Sequence, residues 1–514
     1  MTTTVAAEER EQGQERQRER EPDRQREPEG SRTHSAAPGA TPPRRKSRFR
    51  LGGGPGARTT PARLRLLRAA AVATALALIG VLIAGGVSAN GSWSGIRERS
   101  APQVTSATGL YFALNDMDAQ LANQLMTGNT ASLSAHHADA VRLYAQRRSQ
   151  AGGFLRDLAE AAQGDHAAER SVAAAITDLG RYEELAARAL LLGEQTHRTE
   201  AVTAYDSATA LMRTRLLPEA DRLVTANNLA FERTYADTTG AQSAIRVALI
   251  ATGLLLLALL ALLQFFLASR FRRVINPGAA AATVLVLAAM VAGLVHISSQ
   301  QGDLTTARRD AFDSVLALTR ARAVSYDANA DESRYLLDRT GAATAAHERD
   351  FLAKSRRLVR LEPSTTLSNY DSGLAAAIRA YRADPTDLRF TGYLGDEFRN
   401  ITFPGERAAA ERVLTTYQAY QRDDRTIRSL ASSGRLAEAI AYCTSYAKGD
   451  SNYAFGQYDQ ALQALIAINM SAYEAASSDG AAGALTVPLG ASGAVLAAAG
   501  LMVLGLRPRL AEFR

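Results

Sequence analysis

The chain has 514 residues, a formal net charge of +7 and 46% hydrophobic residues, yet its mean hydropathy is slightly negative. Very apolar and very polar blocks must therefore alternate, which excludes an ordinary soluble globule. The single cysteine, Cys443, excludes an intramolecular disulfide framework and any cysteine-based metal site. It reads as a small apolar residue in a helix.

Residues 1–62 are rich in Arg, Glu, Gln, Pro and Gly and nearly lack large apolar side chains. Such a stretch cannot bury enough surface to offset its ordering entropy, so a disordered tail is expected. Its second half is basic (Arg44, Arg45, Lys46, Arg48, Arg50), which suits a topogenic signal, or contact with anionic membrane lipids or with an acidic partner.

Four apolar runs follow, at 65–89, 245–268, 279–298 and 485–506. Each is roughly twenty residues, the length that crosses a hydrocarbon core of about 30 Å. About sixty polar residues precede the first run, too many for a signal peptide, so it is expected to be a retained anchor. Arg63, Arg65 and Arg68 flank span one, Arg270, Arg272 and Arg273 fill the loop 269–278, and Arg507, Arg509 and Arg514 follow span four within 507–514. With four spans these clusters fall on one side. The positive-inside rule then predicts a multi-pass plasma-membrane protein with both termini cytoplasmic, and 90–244 and 299–484 outside.

In the first outer segment Leu110, Leu114, Met117, Leu121 and Leu125 form an apolar seam at near-heptad spacing, and Val172, Ile176, Leu179, Ala186 and Leu190 form another. Breaks at Gly128-Asn129, Gly164-Asp165 and 193–199 predict helices over about 97–127, 130–163, 166–194 and 200–244. These make a four-helix bundle whose first and last helices continue into spans, with Pro218 a candidate kink. The second segment carries Phe312, Val315, Thr319 and Val324 after span three. Phe455, Tyr458, Leu462 and Leu465 precede span four, and Pro363, Pro385 and Pro404 break the chain between. The expected fold is an all-α membrane protein: four transmembrane helices with two extracytoplasmic helical-bundle domains in a tandem duplicated arrangement. The matching patches Leu114–Asp118 and Ala328–Glu332, and the pairs Tyr205-Asp206 and Tyr458-Asp459, support the duplication.

Catalytic signatures are not found. The seven histidines form no metal-ligand motif, and there is no Walker loop, dinucleotide fingerprint or nucleophile elbow. No enzyme activity and no cofactor or metal are expected. The spans carry too few polar groups for a transport path. Two polar segments remain. Residues 327–338 (DANADESRYLLD) hold Asn329, Asp331, Glu332, Arg334 and Asp338, which could bind a zwitterionic or anionic ligand or lock neighbouring helices. Residues 394–406 (LGDEFRNITFPGE) hold Glu397, Asn400 and Phe403 in a loop suited to partner contact.

Arg is abundant while Lys occurs only at Lys46, Lys354 and Lys448, a bias of high-GC actinobacterial genes. Together with the span layout and the two segments just quoted, residues 64–507 resemble the GlnX-type membrane component of an actinobacterial glutamine/glutamate sensing system. The resemblance implies a relay: a solute-binding lipoprotein outside, a soluble serine/threonine kinase inside, and this chain between them. The first outer segment also resembles the four-helix sensors of chemotaxis receptors, but the long cytoplasmic coiled coil of those receptors is missing. The small cytoplasmic share predicts that any response there belongs to a partner. A direct small-molecule receptor with a pocket near Asn329, Asp331 and Arg334, and a cell-envelope scaffold, are the alternatives. Membrane lipids are expected partners and nucleic acid is not. A homodimer, the ligand and the direction of signalling stay open.

Overall fold

The computed structural model describes residues 60–128, 130–271, 276–339 and 341–511, all within the unit Thr59–Arg514. The expected tail up to residue 59, and Arg272, Arg273 and Arg514 of the basic clusters, lie outside the described residues.

Four very long helices organise the molecule: α1 (Ala62–Thr127), α4 (Arg198–Ser269), α5 (Pro277–Leu337) and α11 (Ser451–Arg507). The 66 residues of α1 span roughly 100 Å at 1.5 Å per residue, about three times a hydrocarbon core. Each therefore has an apolar half long enough to cross a membrane and a polar half projecting beyond it. The apolar halves form a ring in which α1 meets α4 and α11, and α5 meets the same two. Leu78, Leu249, Val286 and Val495 fill the centre. Leu76, Val247, Leu254, Val284 and Leu496 point outward and are exposed. A continuous apolar belt of this kind is untenable in water and is what lipid tails require. The protein is an all-α membrane protein.

The shorter helices fill the two inter-span segments: α2 (Ser134–Ala161) and α3 (His166–Glu194) in the first, then α6 (Gly341–Leu358), α7 (Tyr370–Ala383), α8 (Tyr393–Asn400), α9 (Glu406–Ser432) and α10 (Leu436–Thr444) in the second. Local chemistry sets the boundaries. Gly164 takes φ +87°, and Asp165 then caps α3 by accepting from the Ala167 and Ala168 amides. Asn276 caps α5 ahead of Pro277, and its side-chain amide donates to the Gly505 carbonyl of α11 at 3.1 Å. No strand occurs among the described residues; Arg360 and Thr391 form an isolated bridge.

Three of the long helices contain a π-helical turn: Ile96–Ser100 in α1, Met212–Leu216 in α4 and Thr306–Phe312 in α5. The second lies directly before Pro218, so α4 absorbs the proline in a widened turn rather than breaking there. The two inter-span segments share a core. Beyond the spans α1 packs along α5, and one cluster joins Leu110, Leu121, Tyr182 and Tyr205 of the first to Leu336 and Ile427 of the second.

Candidate functional site

The polar halves of α1 and α5 are the central struts of the inter-span region. Every residue from Phe112 to Gln124 on α1, and from Ala328 to Leu337 on α5, is buried. A helix buried all round must bury its polar residues too, and each then needs a partner. Asp118 is 1% exposed, Asp331 0% and Arg334 3%. None of the three could stay charged there without compensation.

They compensate one another across the two segments. The Arg334 guanidinium donates from Nη2 to Asp118 at 2.5 Å, from Nη1 to Asp331 and to Asp327 (3.2 Å), and from Nε to the Tyr205 hydroxyl at 3.2 Å. Lys354 of α6 reaches Asp331 at 2.5 Å and Asp327 at 2.8 Å. Asp118 also accepts from Thr209 at 2.9 Å and Tyr182 at 3.3 Å. Ser333 donates to Asn123 at 2.8 Å beside it. Two cations thus face three carboxylates. Burial alone raises the Asp327 carboxyl, but Lys354 and Arg334 outweigh it and hold it well below the usual range. Burial opposes the Arg334 charge, but Tyr205, Asp118 and Asp331 keep it firmly protonated. The cluster behaves as a fixed ionic joint, with Asp118, Tyr182, Tyr205 and Thr209 on one side and Asp327, Asp331, Arg334 and Lys354 on the other.

Two carboxyl pairs lie apart from it. Asn329 donates to Glu332 at 3.1 Å. Burial and the neighbouring Asp424 push the Glu332 carboxyl far up, against the opposing pull of Arg428. Arg428 itself holds Asp424 at 2.8 Å. The other pair is Glu397 and Glu406. Asn469 of α11 donates to Glu397 at 3.3 Å, and Glu406 accepts the Thr402 and Phe403 amides at 2.6 and 2.9 Å. Burial, with Glu406 alongside, pushes Glu397 up to about 7.

The sequence-predicted residues therefore divide. Asn329, Asp331, Glu332 and Arg334 meet in the interior, but on two neighbouring clusters rather than one. Asp338 ends α5, its amide donating to the Arg334 carbonyl at 3.0 Å. The expected loop 394–406 is helical over its first part, Tyr393–Asn400 forming α8. Asn400 at its end donates to the Asp310 carbonyl and Ser314 hydroxyl, both at 2.9 Å, clamping α8 onto the π-helical turn of α5. Phe403 packs, half-buried, against the shared core. Glu397 sits with this second group. Sequence reading missed Asp118, Tyr205, Lys354, Asp424 and Arg428 as members. The signals were the likeness of the Asp118 and Glu332 patches and the Tyr205-Asp206 pair.

Residues 92–236 match the family model of the actinobacterial sensor domain. No curated protein and no solved structure matches the chain. The matched stretch is the polar half of α1 together with α2, α3 and the start of α4, so it supplies Asp118, Tyr182, Tyr205 and Thr209 to the joint, while Arg334 and Lys354 come from outside it. The molecule is an all-α membrane protein whose first inter-span segment is similar to a bacterial sensor domain.

Proposed function

We propose that the protein is a non-catalytic transmembrane sensor that passes a state of its inter-span segments to its spans as a small shift or rotation of α1, α4, α5 and α11. One observation carries this. The sensor-like stretch is bolted by the Asp118–Arg334 pair to the second segment, and both halves of that joint sit on helices that run unbroken into spans. A displacement at the joint cannot be absorbed by a flexible linker, because none separates it from the bilayer.

The finer reading rests on the resemblance. The inter-span segments lie outside the plasma membrane and receive a ligand-loaded solute-binding lipoprotein. A soluble serine/threonine kinase reads the cytoplasmic side. The end of α8 at Asn400 with the turn of Phe403 after it is the docking element in this reading, since Asn400 clamps the π-helical turn of α5. Chemical cross-linking in native membranes followed by affinity purification tests it. Recovery of a solute-binding protein and a kinase is expected; recovery of neither discards the relay.

A further inference from the structure

A second feature joins the two segments, on the surface rather than in the interior. A cleft of about 480 Å³ opens between α1, α2, α5 and α11, with Phe112, Arg147, Phe154, Arg322, Asp459 and Gln463 in its wall. That volume lies within the range of small-molecule sites. The guanidinium carbons of Arg147 and Arg322 lie over the Phe112 ring, 4.7 and 4.1 Å from its centre. Arg147 gives Nε to Asp116 at 2.5 Å and Nη1 to Gln150 at 2.9 Å. Arg322 gives Nε and Nη2 to Asp459 at 2.5 and 2.9 Å. These bonds occupy only part of each fork, and Nη2 of Arg147 and Nη1 of Arg322 are left for a further acceptor.

We propose that this cleft binds a small zwitterion carrying one carboxylate and one ammonium group. The two arginines are 12% and 17% exposed at the side chain, desolvated enough to strengthen a charged hydrogen bond yet open to the cleft. A carboxylate engages the unused guanidinium donors. The ammonium engages Asp459, whose side chain is 12% exposed, whereas Asp116 at 1% is out of reach. Asp459 in the wall pairs with Arg322, and Asp116 behind the wall pairs with Arg147, so each guanidinium already has a carboxylate partner. A ligand of one sign would unbalance this arrangement, while a zwitterion exchanges with the internal pairs at constant charge. One end is sealed by Phe154, which comes so close to α1 that a Cβ on Gly109 would lie 2.5 Å from its ring. Since α1, α5 and α11 all continue into spans, occupancy of the cleft sets the spacing of the polar halves. The proposal rests on the sensor reading but not on a lipoprotein partner.

The test uses the full chain in lipid nanodiscs. Each common L-α-amino acid is added singly at about 10 mM, enough to fill a millimolar site, with propionate and ethylammonium as single-charge controls. At least one amino acid is expected to raise the unfolding temperature, and neither control should. Arg322→Lys keeps a cation beside Asp459 but loses the fork, and should weaken that amino acid by about tenfold to a hundredfold. Thr319 also lines the cleft and belongs to none of its ion pairs, so Thr319→Trp, which fills the space, should abolish the response. No shift with any amino acid, an equal shift with propionate, or a response surviving in Thr319→Trp overturns the proposal. The sensor reading is scored separately, by disulfide cross-linking rates between spans with and without the bound amino acid. Binding with unchanged rates sinks the sensor reading and leaves the cleft, whereas absence of binding sinks the cleft alone.

Discussion

Arg334 ties the two inter-span segments together, because its partners Asp118 and Tyr205 come from the other inter-span segment. Replacing it with a residue that cannot carry charge leaves Asp118 and Asp331 buried and undercompensated. Arg334→Met should cost about 3–5 kcal/mol, read as a large drop in thermal unfolding temperature in detergent. Asp118→Asn combined with Arg334→Gln should cost less than the sum of the two single changes, because the second loses a partner already lost. Glu397 makes a prediction of opposite character. Its folded carboxyl is raised to about 7, from an ordinary value of 4.5, by burial and by Glu406. The folded state therefore binds the proton more tightly than the unfolded chain. The stabilisation is fully present below pH 4.5 and is lost as pH rises through 7, on the order of 3 kcal/mol in all. Glu397→Gln, a fixed neutral mimic, should flatten the unfolding temperature between pH 5 and about 8; a slope equal to that of the wild type discards the carboxyl-pair account. The polar density of 327–338 was legible as a site of interaction or helix locking. Its principal partner was not, since Asp118 is 216 residues away and no local pattern pairs them.

At the scale of elements, apolar periodicity and glycine breaks carried most of the information. The stretches 166–194 and 200–244 read from sequence coincide closely with α3 and the polar half of α4, because Gly164, Asp165 and Thr196 impose backbone geometries that end helices. The three π-helical turns were not legible. A one-residue widening shifts the apolar pattern by about 100° once, which in sequence looks the same as an ordinary irregularity of the seam. Nor could a seam reveal that α1 and α5 are buried on every side, since periodicity finds a face and not a neighbour. The junction between spans and polar halves is held by Trp93, the only tryptophan. Its Nε1 donates to Gln300 of α5 at 2.6 Å, and Gln300 donates to the Gly480 carbonyl of α11 at 2.8 Å. A Cβ on Gly480 would overlap the Trp93 ring, so Gly480→Ala must push the indole out of its seat. Intrinsic fluorescence should move to the red and thermal stability should fall by about 1–3 kcal/mol, the usual cost of overpacking. An unchanged emission maximum would refute this packing.

At the scale of the whole molecule, four long helices, one shared apolar core, the Asp118–Arg334 joint and a ring of spans leave the inter-span segments little freedom to move apart, so any signal must pass as a concerted shift of the struts. What such a shift means biologically depends on which side of the membrane the segments occupy. The argument for the outside is the asymmetry of positive charge, with Arg63, Arg65, Arg68, Arg270 and Arg507 at one end of the spans. Cysteine labelling decides it cleanly, because the one native thiol, Cys443, is buried and burial pushes its ionisation far above the usual range, leaving it unreactive. In a Cys443→Ala background, single cysteines at Thr386 in the second segment and at Ser269 beside the basic loop, both exposed positions, report the two sides independently. A membrane-impermeant maleimide should label Thr386→Cys in intact cells and Ser269→Cys only after permeabilisation. The reverse pattern would put the sensor-like segment in the cytoplasm and remove any role for a solute-binding lipoprotein. Labelling of both in intact cells would mean that 245–268 and 279–298 do not form a hairpin through the bilayer, against the continuous belt of exposed Val247, Leu254 and Val284.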